Sequence, residues 1–371
     1  MRICWRGFCG ANHSWACVAR ALSKQFCDKH HKVEIFSTDG KNCIPKELIN
    51  NIVGYFENGK LFGKELDHNY DIAISYTAPH NWKTYLQNGK IKLGIWAFEF
   101  AGKNSLPAGF AKQHSFCDKV LPPSEFAKQV FIDSGIPPQK IEIVPHGIDI
   151  KQLDNAQPIN FNTNKIKLCA VLGQIHMRKG LDKTLEAFGK AFTKNDNVCF
   201  VLKVADKTPT QSFELSFKDE LKRFKNKYPN HAQIIVINEF IDNMFSIYKA
   251  CDIYFHLTKC EAFGIPFLEA LSSGLINICP KYGGMLDFLN DDNAMLIDGK
   301  QAKAPSRSLY WEQKQNTMWF ESNIDEAVDK LRYAVNNVEV MKQKIKPHIE
   351  LVRNTYSWNK VADKVLGLVN I

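Results

Sequence analysis

The sequence predicts an α/β protein with two doubly wound halves, each a parallel sheet covered by helices. Short β-branched or aromatic runs alternate with helix-period segments, the pattern of βαβ units. A polar stretch interrupts this alternation near the middle of the chain. The 371 residues also exceed the usual size of one domain, about 100–200 residues. We therefore expect two domains or more.

The first half carries the alternation from the first residues onward. A helix-period segment from residue 14 to residue 27 follows the first strand, and others follow Pro107 and span residues 124–134. The predicted strands cover residues 2–5, 32–37, 70–76, 91–98, 119–121 and 140–144.

Residues 149–165 are rich in Asn and Gln, contain Pro158, and are predicted to form a linker. Residues 300–323 are predicted to be irregular, and the chain ends in helical segments. The strands of the second half are predicted at residues 167–172, 198–204, 233–237, 253–257 and 275–278, and the last helices at residues 324–335, 338–356 and 359–369.

Composition narrows the classes of protein. No run of about 18 apolar residues occurs, which excludes a membrane-spanning helix. The eleven cysteines are scattered without a CxxC pair, so neither a disulfide framework nor a zinc site is indicated. The first residues lack the apolar run of a signal peptide. We expect a cytoplasmic protein, with peripheral contact to a membrane left open.

The net charge of +9 comes mostly from lysines spread along the chain. Solvated helix faces explain such a charge, and an anionic substrate, a membrane surface or nucleic acid are the functional alternatives. No zinc-finger spacing or RNP-like aromatic motif favours nucleic acid, so no nucleic-acid partner is expected.

Several catalytic motifs are missing from the sequence. It has no GxGxxG, GxSxG, HExxH or Asp-x-Asp. Residues 54–61 approach a phosphate loop, but Leu61 stands where a magnesium-binding Ser or Thr is required, so an ordinary glycine turn is predicted there.

The densest signal lies between residues 259 and 274. A strand runs into a short turn and then a helix that begins near Gly264, with Pro266 in its first turn. The first amides of this helix form an anion site reinforced by the helix dipole. Glu261 precedes the helix and Glu269 lies eight residues on, roughly 12 Å away along a helix axis. A sugar joined through a diphosphate to a ribose spans about that distance.

This run resembles the E-x7-E motif of retaining GT-B glycosyltransferases of family 4, the glycosyl transferases group 1. Further segments resemble that family in the expected order, and together they span nearly the whole chain. They are residues 96–99 (Trp-Ala-Phe-Glu), 121–126 with 135–136, 144–149 (Val-Pro-His-Gly-Ile-Asp), 173–180 (Gly-Gln-Ile-His-Met-Arg-Lys-Gly) and 356–358 (Tyr-Ser-Trp).

The resemblance implies a GT-B fold, with two Rossmann-like domains facing a central cleft. Residues 1–150 would form the acceptor domain, 151–352 the nucleotide-sugar donor domain, and 353–371 a helix crossing back to the first domain. It implies transfer of a hexose-type sugar from a UDP-, GDP- or ADP-type sugar with retention of anomeric configuration. No metal or other cofactor is expected, and the acceptor would be a glycan or a lipid-linked or protein-linked molecule.

The resemblance also implies roles for individual residues. Arg178, Lys179 and Glu261 are the catalytic candidates, while His13 and Glu99 are candidates for contact with the sugar or acceptor. Glu269 would hold the ribose. The donor-binding candidates are Gly10, Gly173, Arg178, Lys179, Phe240, Ile241, Glu261, Ala262, Phe263, Gly264, Ile265 and Glu269.

One position departs from the family pattern. Many members carry a basic residue directly after the glycine of the diphosphate loop, where this sequence has Gln174. Losing one donor to a developing charge typically costs about 10²–10³ in rate. A nucleotide-sugar-binding protein without turnover therefore remains an alternative, as does a GT-B epimerase or phosphorylase.

Overall fold

The computed structural model describes residues 1–66, 69–205, 214–308 and 316–369, apart from the side chains of Gln174 and Arg307. The described strands are β1 (Arg2–Gly7), β2 (Lys32–Ser37), β3 (Ile52–Glu57), β4 (Lys60–Gly63), β5 (Tyr70–Tyr76), β6 (Gly89–Ile95), β7 (Lys119–Leu121), β8 (Ile166–Gln174), β9 (Val198–Ala205), β10 (Gln233–Ile237), β11 (Ile253–Phe255), β12 (Ile276–Pro280), β13 (Ala294–Ile297), β14 (Gly299–Lys303) and β15 (Met318–Ser322).

Helices lie in half of the connections between these strands and after the last strand. They are α1 (Ser14–Asp28), α2 (Trp82–Tyr85), α3 (Glu125–Asp133), α4 (Ile150–Asn155), α5 (Leu181–Ala191), α6 (Phe217–Lys227), α7 (Phe245–Tyr248), α8 (Ile265–Ser272), α9 (Ile324–Asn336), α10 (Val338–Thr355) and α11 (Trp358–Gly367).

The chain divides into two compact units. The first contains residues 1–98, 103–149 and 356–371, and the second contains residues 99–102 and 150–355. The last helix, α11, thus belongs to the first unit, where it packs on α1. Ile148 anchors its start, because the Ile148 amide donates to the carbonyl of Tyr356 at 2.8 Å.

The first unit is built on a sheet with strand order β4-β3-β2-β1-β5-β6-β7. All described pairings are parallel except β3 with β4, a hairpin at the edge. The chain runs outward from β1 to β4 and then returns to β5 on the other side of β1. The switch point of this unit therefore lies between β1 and β5, where open α/β sheets bind ligands at the carboxyl ends of their strands.

The second unit repeats this plan with strand order β10-β9-β8-β11-β12-β13, and all described pairings within this six-stranded sheet are parallel. Its central strands are nearly continuous apolar runs with no exposed side, as expected for strands covered by helices on both faces. The switch point lies between β8 and β11. The predicted α/β class with parallel, doubly wound sheets is confirmed.

Three sequence predictions about local structure were wrong. Residues 140–144 do not form a strand, and Ile141 alone bridges to Val120. The amides of Glu142 and Val144 donate to the carbonyls of Val120 and Pro122, but Pro122 has no amide to donate in return, so the ladder does not continue. The predicted linker contains a short helix, α4. The segment after Lys300, predicted to be irregular, contains the antiparallel pair β14 and β15, while its residues 309–315 lie outside the described residues.

The segment that approaches a phosphate loop is the β3–β4 hairpin, so the predicted glycine turn is confirmed. Asn58 and Gly59 at its tip both have positive φ, the backbone conformation of the tight turns that join antiparallel strands.

Candidate functional site

Two loops meet at the switch point of the second unit. Residues 175–180 follow β8, and residues 256–264 lie between β11 and α8. The two strands are neighbours in the sheet, with Leu168 opposite Ile253 and Cys169 opposite Tyr254. Parallel strands end at the same edge, so both loops emerge side by side. The sequence predicted functional residues on both.

Backbone contacts hold the two loops together. The amide of Lys259 donates to the carbonyl of Arg178 at 2.8 Å, and Nε2 of buried His256 donates to the carbonyl of Lys179 at 2.6 Å. Gly180 closes the first loop with φ +59, and a Cβ atom there would lie 2.0 Å from the carbonyl oxygen of Leu257. Only glycine satisfies both the backbone angle and this close approach.

Two cations and two carboxylates lie together here, and we call them the charge cluster: Arg178 and Lys179 on the first loop, Glu261 on the second, and Glu99, which follows β6. Lys179 Nζ lies 2.7 Å from Glu261 Oε1, and Arg178 Nη1 lies 3.1 Å from the same oxygen. Arg178 Nη2 lies 3.0 Å from Glu99 Oε1. Each of these side chains is 15% exposed or less, so water screens the charges weakly.

Burial and charge compete in setting the pKa values of the charge cluster. Burial alone would raise the pKa of Glu261, but Lys179 and Arg178 outweigh it and hold that pKa at about 2. Burial raises the pKa of Glu99 above its usual value despite Arg178. Burial lowers the pKa of Lys179, although Glu261 opposes it. Glu261 is thus the permanently charged carboxylate, with two cations on a single oxygen.

The start of helix α8 faces the same edge of the sheet. Gly264 is its N-cap residue with φ +87, Pro266 occupies the first turn, and no side chain of the described residues caps the helix. Ala262 and Phe263 are buried in the preceding loop. The positive end of α8 therefore lies three residues beyond Glu261, as an anion site would require.

Glu269 lies in the second turn of α8 and is partly buried. Its Oε2 accepts a hydrogen bond from the hydroxyl of buried Tyr248 at 2.9 Å. Burial raises the pKa of Glu269 to about 7, although this hydrogen bond opposes the shift. Glu269 therefore changes charge close to neutral pH, and Tyr248, which sequence reasoning missed, fixes its orientation.

The remaining donor-binding candidates lie near the ends of other strands. Gly173, at the end of β8, has φ +58. Phe240 and Ile241 follow β10, and Phe240 is 70% exposed, an unusual exposure for a large aromatic ring. Gln174 ends β8, but its side chain lies outside the part of the chain that the structure describes.

The loop between β1 and α1 has an arrangement that the sequence did not predict. The amides of Cys9, Gly10 and Ala11 all donate to the carboxylate of Asp39, at 2.8, 2.7 and 3.2 Å. His13 Nε2 lies 3.0 Å from the same carboxylate. Burial alone would raise the pKa of Asp39, but these hydrogen bonds lower it to about 2. The carboxylate of Asp39 thus binds the amides of the loop that contains Gly10, one of the predicted donor-binding residues.

Two features are absent from the described residues. No group of three or more His, Cys, Asp or Glu side chains there could hold a metal ion. Among the same residues, no helix combines the length and the apolar character needed to cross a membrane.

Comparisons with known proteins agree with the fold. The family model described as glycosyl transferases group 1 matches residues 152–318, which include Lys179, Glu261 and Glu269. A putative glycosyltransferase 45 of Sulfolobus islandicus filamentous virus is 23% identical over 338 residues, covering 87% of each chain.

Solved GT-B structures match the whole chain at low identity. Sucrose-phosphate synthase from Thermosynechococcus elongatus gives a TM-score of 0.73 at 11% identity, covering 100% of this chain and 98% of its own. Anabaena HepE, solved in complex with UDP-glucose, gives 0.71 at 12% identity, covering 100% and 99%. The structural matches confirm the predicted GT-B fold. The match of residues 152–318 to the family model supports the predicted resemblance to the glycosyl transferases group 1.

Proposed function

We propose that this chain, whose residues 152–318 match the glycosyl transferases group 1, moves a hexose-type sugar from a nucleotide-diphosphate sugar to an acceptor hydroxyl, with retention and without a metal. The observation that carries the proposal is the pair formed by Lys179 and Glu261, which lies at a switch point and directly before the start of α8. A buried cation and a helix start beside one another suit a diphosphate.

The geometry favours a division of roles within the second unit. Lys179 and the amides of Gly264 and Ile265 would hold the diphosphate. Glu269 would bind the ribose hydroxyls. The exposed ring of Phe240, together with Ile241, would pack on the base.

Arg178 and Glu99 support this arrangement rather than bind the diphosphate directly. The guanidinium of Arg178 forms ion pairs with Glu99 and Glu261 and donates a hydrogen bond to the carbonyl of Cys260, at 3.0–3.2 Å. These contacts fix Glu261 so that it can accept hydrogen bonds from the transferred sugar. Lys179 is then the main cation that neutralises the leaving group.

In the proposed reaction, the bond between the anomeric carbon and the diphosphate oxygen breaks, and the acceptor oxygen bonds to that carbon on the same face. The acceptor proton passes to an oxygen of the departing diphosphate. Negative charge grows on this leaving group, and fixed cations and amides lower the barrier by stabilising it. No protein carboxylate is needed as a base.

The test is release of nucleoside diphosphate from a panel of UDP-, GDP- and ADP-sugars in EDTA, with and without pooled acceptors. UDP-glucose is the first donor to try, since HepE was solved with it. We expect release from one donor, loss of about 10²–10³ in Lys179→Ala, and normal release in Lys183→Ala. Lys183 lies one turn away and pairs only with Glu186 among the described residues. NMR of the product would then read the anomeric configuration.

The alternative is a nucleotide-sugar-binding protein that has lost turnover. The pairing of Arg178 favours it, because this cation is balanced by carboxylates before any ligand arrives. Nucleotide binding that depends on Lys179, with no release from any donor even when acceptors are present, would establish this alternative and refute transfer.

A further inference from the structure

Three aromatic side chains lie at the switch point of the first unit, and we call them the aromatic cluster: Phe8, Trp15 and Tyr76. Phe8 directly follows β1, and Tyr76 ends β5. The ring of Trp15 stacks on Tyr76 with 5.2 Å between centroids and 18° between planes, and Phe8 lies 5.5 Å from Trp15. Phe8 and Trp15 are partly exposed, so the cluster offers apolar ring surface where an open α/β sheet binds its ligand.

The loop between β1 and α1 adjoins the aromatic cluster, and its amides already bind the carboxylate of Asp39. Asp39 uses the amides of Cys9, Gly10 and Ala11 and also accepts from the hydroxyl of Ser37 at 2.9 Å. A phosphate at this loop would have to displace a partly buried, hydrogen-bonded carboxylate. Any phosphate that bound beside it would meet the repulsion of a like charge.

His13 is also fully engaged by the loop. Its Nδ1 accepts a hydrogen bond from the amide of Ala16 at 3.3 Å and so caps α1, while its Nε2 donates to Asp39. The edge of the His13 ring contacts Phe8, with 5.2 Å between the ring centroids. The loop presents the exposed polar side chains of Asn12 and Ser14 beside the aromatic cluster, while the guanidinium of Arg20 donates to the loop carbonyls of Cys9 and Ala11 at 2.7 Å.

We propose that the aromatic cluster binds the sugar ring of a neutral saccharide acceptor, with Trp15 as the residue that selects it. The C–H face of a pyranose carries slight positive charge and matches the negative face of an aromatic ring. Hydroxyl groups at the edge of the sugar would meet the polar side chains of Asn12 and Ser14. The proposal rests on the proposed function, because it names the acceptor class of that same reaction.

The direct test is to measure saccharide binding by ligand-observed NMR in the absence of a donor. The probes are the methyl glycosides of glucose, galactose, mannose and N-acetylglucosamine, each compared with its 6-phosphate. We expect one neutral glycoside to bind, its phosphate to bind no more tightly, and Trp15→Ala to weaken binding about tenfold. Trp15→Phe, which keeps a ring, should retain part of the affinity. Tyr333→Ala removes a 52%-exposed ring of the second unit and should change nothing.

Three results would overturn the proposal. The first is tighter binding of the phosphates, and the second is the absence of binding by any neutral glycoside. The third is unchanged binding in Trp15→Ala, when thermal unfolding shows that the variant is folded. In the transfer assay, Trp15→Ala should raise the KM for acceptor and leave UDP binding unchanged. Because the NMR experiment uses no donor, it decides the proposal even if no sugar transfer is found.

Discussion

At the residue scale, Arg178 determines how the charge cluster is held. It is a buried guanidinium between two carboxylates, and both Glu99 and Glu261 raise its pKa against the effect of burial. A buried charge that loses its partner is costly, whereas exposed pairs contribute little. The same contacts also orient Glu261, so stability and function are coupled through one side chain.

We expect Arg178→Met to lower the free energy of unfolding by about 3–5 kcal/mol, because buried Glu99 loses the guanidinium that pairs with it and Glu261 loses one of its two cations. Adding Glu99→Gln should recover part of that loss, since one uncompensated charge is then removed. Urea unfolding measures both variants. Arg223→Met is the control, because the Arg223 side chain is 69% exposed in its pair with Glu220. Equal losses for Arg178 and Arg223 would contradict this account of the charge cluster.

Glu269 gives stability a dependence on pH of opposite sign to that of an ordinary paired carboxylate. Its pKa is about 7 in the folded protein and 4.5 in the reference state. The folded protein therefore binds a proton that the unfolded chain releases, and the free energy of unfolding falls as pH rises from 4.5 to about 7.

Glu269→Gln should be more stable than the wild type at pH 8, by roughly 1–3 kcal/mol, and similar to it at pH 4.5. The same variant should bind UDP more weakly at pH 8, because the ribose loses a charged acceptor. Urea unfolding at both pH values and UDP titration measure the two effects. Glu350→Gln, an exposed position on α10, controls for the general effect of charge. A difference from wild type that does not change with pH would refute the assignment.

At the scale of elements, the loop after β8 is positioned by its contact with the loop after β11. Gly180 makes this contact possible, because it combines a left-handed backbone with close approach to Leu257. The peptide carbonyls of Arg178 and Lys179 accept hydrogen bonds across the same contact. Any residue larger than glycine at position 180 must push the two loops apart.

We expect Gly180→Ala to lower the free energy of unfolding by roughly 2–4 kcal/mol, which combines backbone strain with steric overlap. Gly109→Ala isolates the strain, because Gly109 has φ +77 and a Cβ added there would have no atom within 4 Å, and it should cost about 1–2 kcal/mol. Donor binding should weaken in the first variant only. If the two alanine variants were equally stable, the close approach at Gly180 would contribute nothing to the free energy of unfolding.

At the scale of the whole molecule, the sequence predicted the elements whose signal is local. Residues 32–37, 70–76 and 233–237 were predicted with the bounds that the strands have, because each is a short β-rich run between turn signals. The β14 strand was missed because its residues are polar and its partner lies across a long insertion. Pairing between such distant polar strands produces no periodic pattern of apolar residues in the sequence.

In the candidate site too, the sequence predicted what depends on local motifs and missed what depends on long-range contacts. Lys179 and Glu261 lie in short motifs that adjoin strands, so their proximity followed from strand order. The contact between Glu99 and Arg178 joins positions 79 residues apart in sequence, and the role of Asp39 depends on the path of a loop thirty residues earlier. Neither contact leaves a local pattern, and only the folded backbone reveals it.

The proposed donor groups all belong to one of the two compact units, which predicts an uneven response to ligand. A ligand that binds only folded protein stabilises it by RT ln(1 + [L]/Kd), about 2.7 kcal/mol at a hundredfold excess over Kd. We therefore expect UDP to raise the unfolding midpoint of the second unit by several degrees and to leave that of the first unit nearly unchanged. Calorimetry, with local proteolysis to assign each transition, measures this. The shift should vanish in Lys179→Ala and persist in the control Lys183→Ala. Equal shifts in both units, or an unaltered shift in Lys179→Ala, would mean that UDP binds at a different site, because a site built on Lys179 couples UDP to the second unit alone.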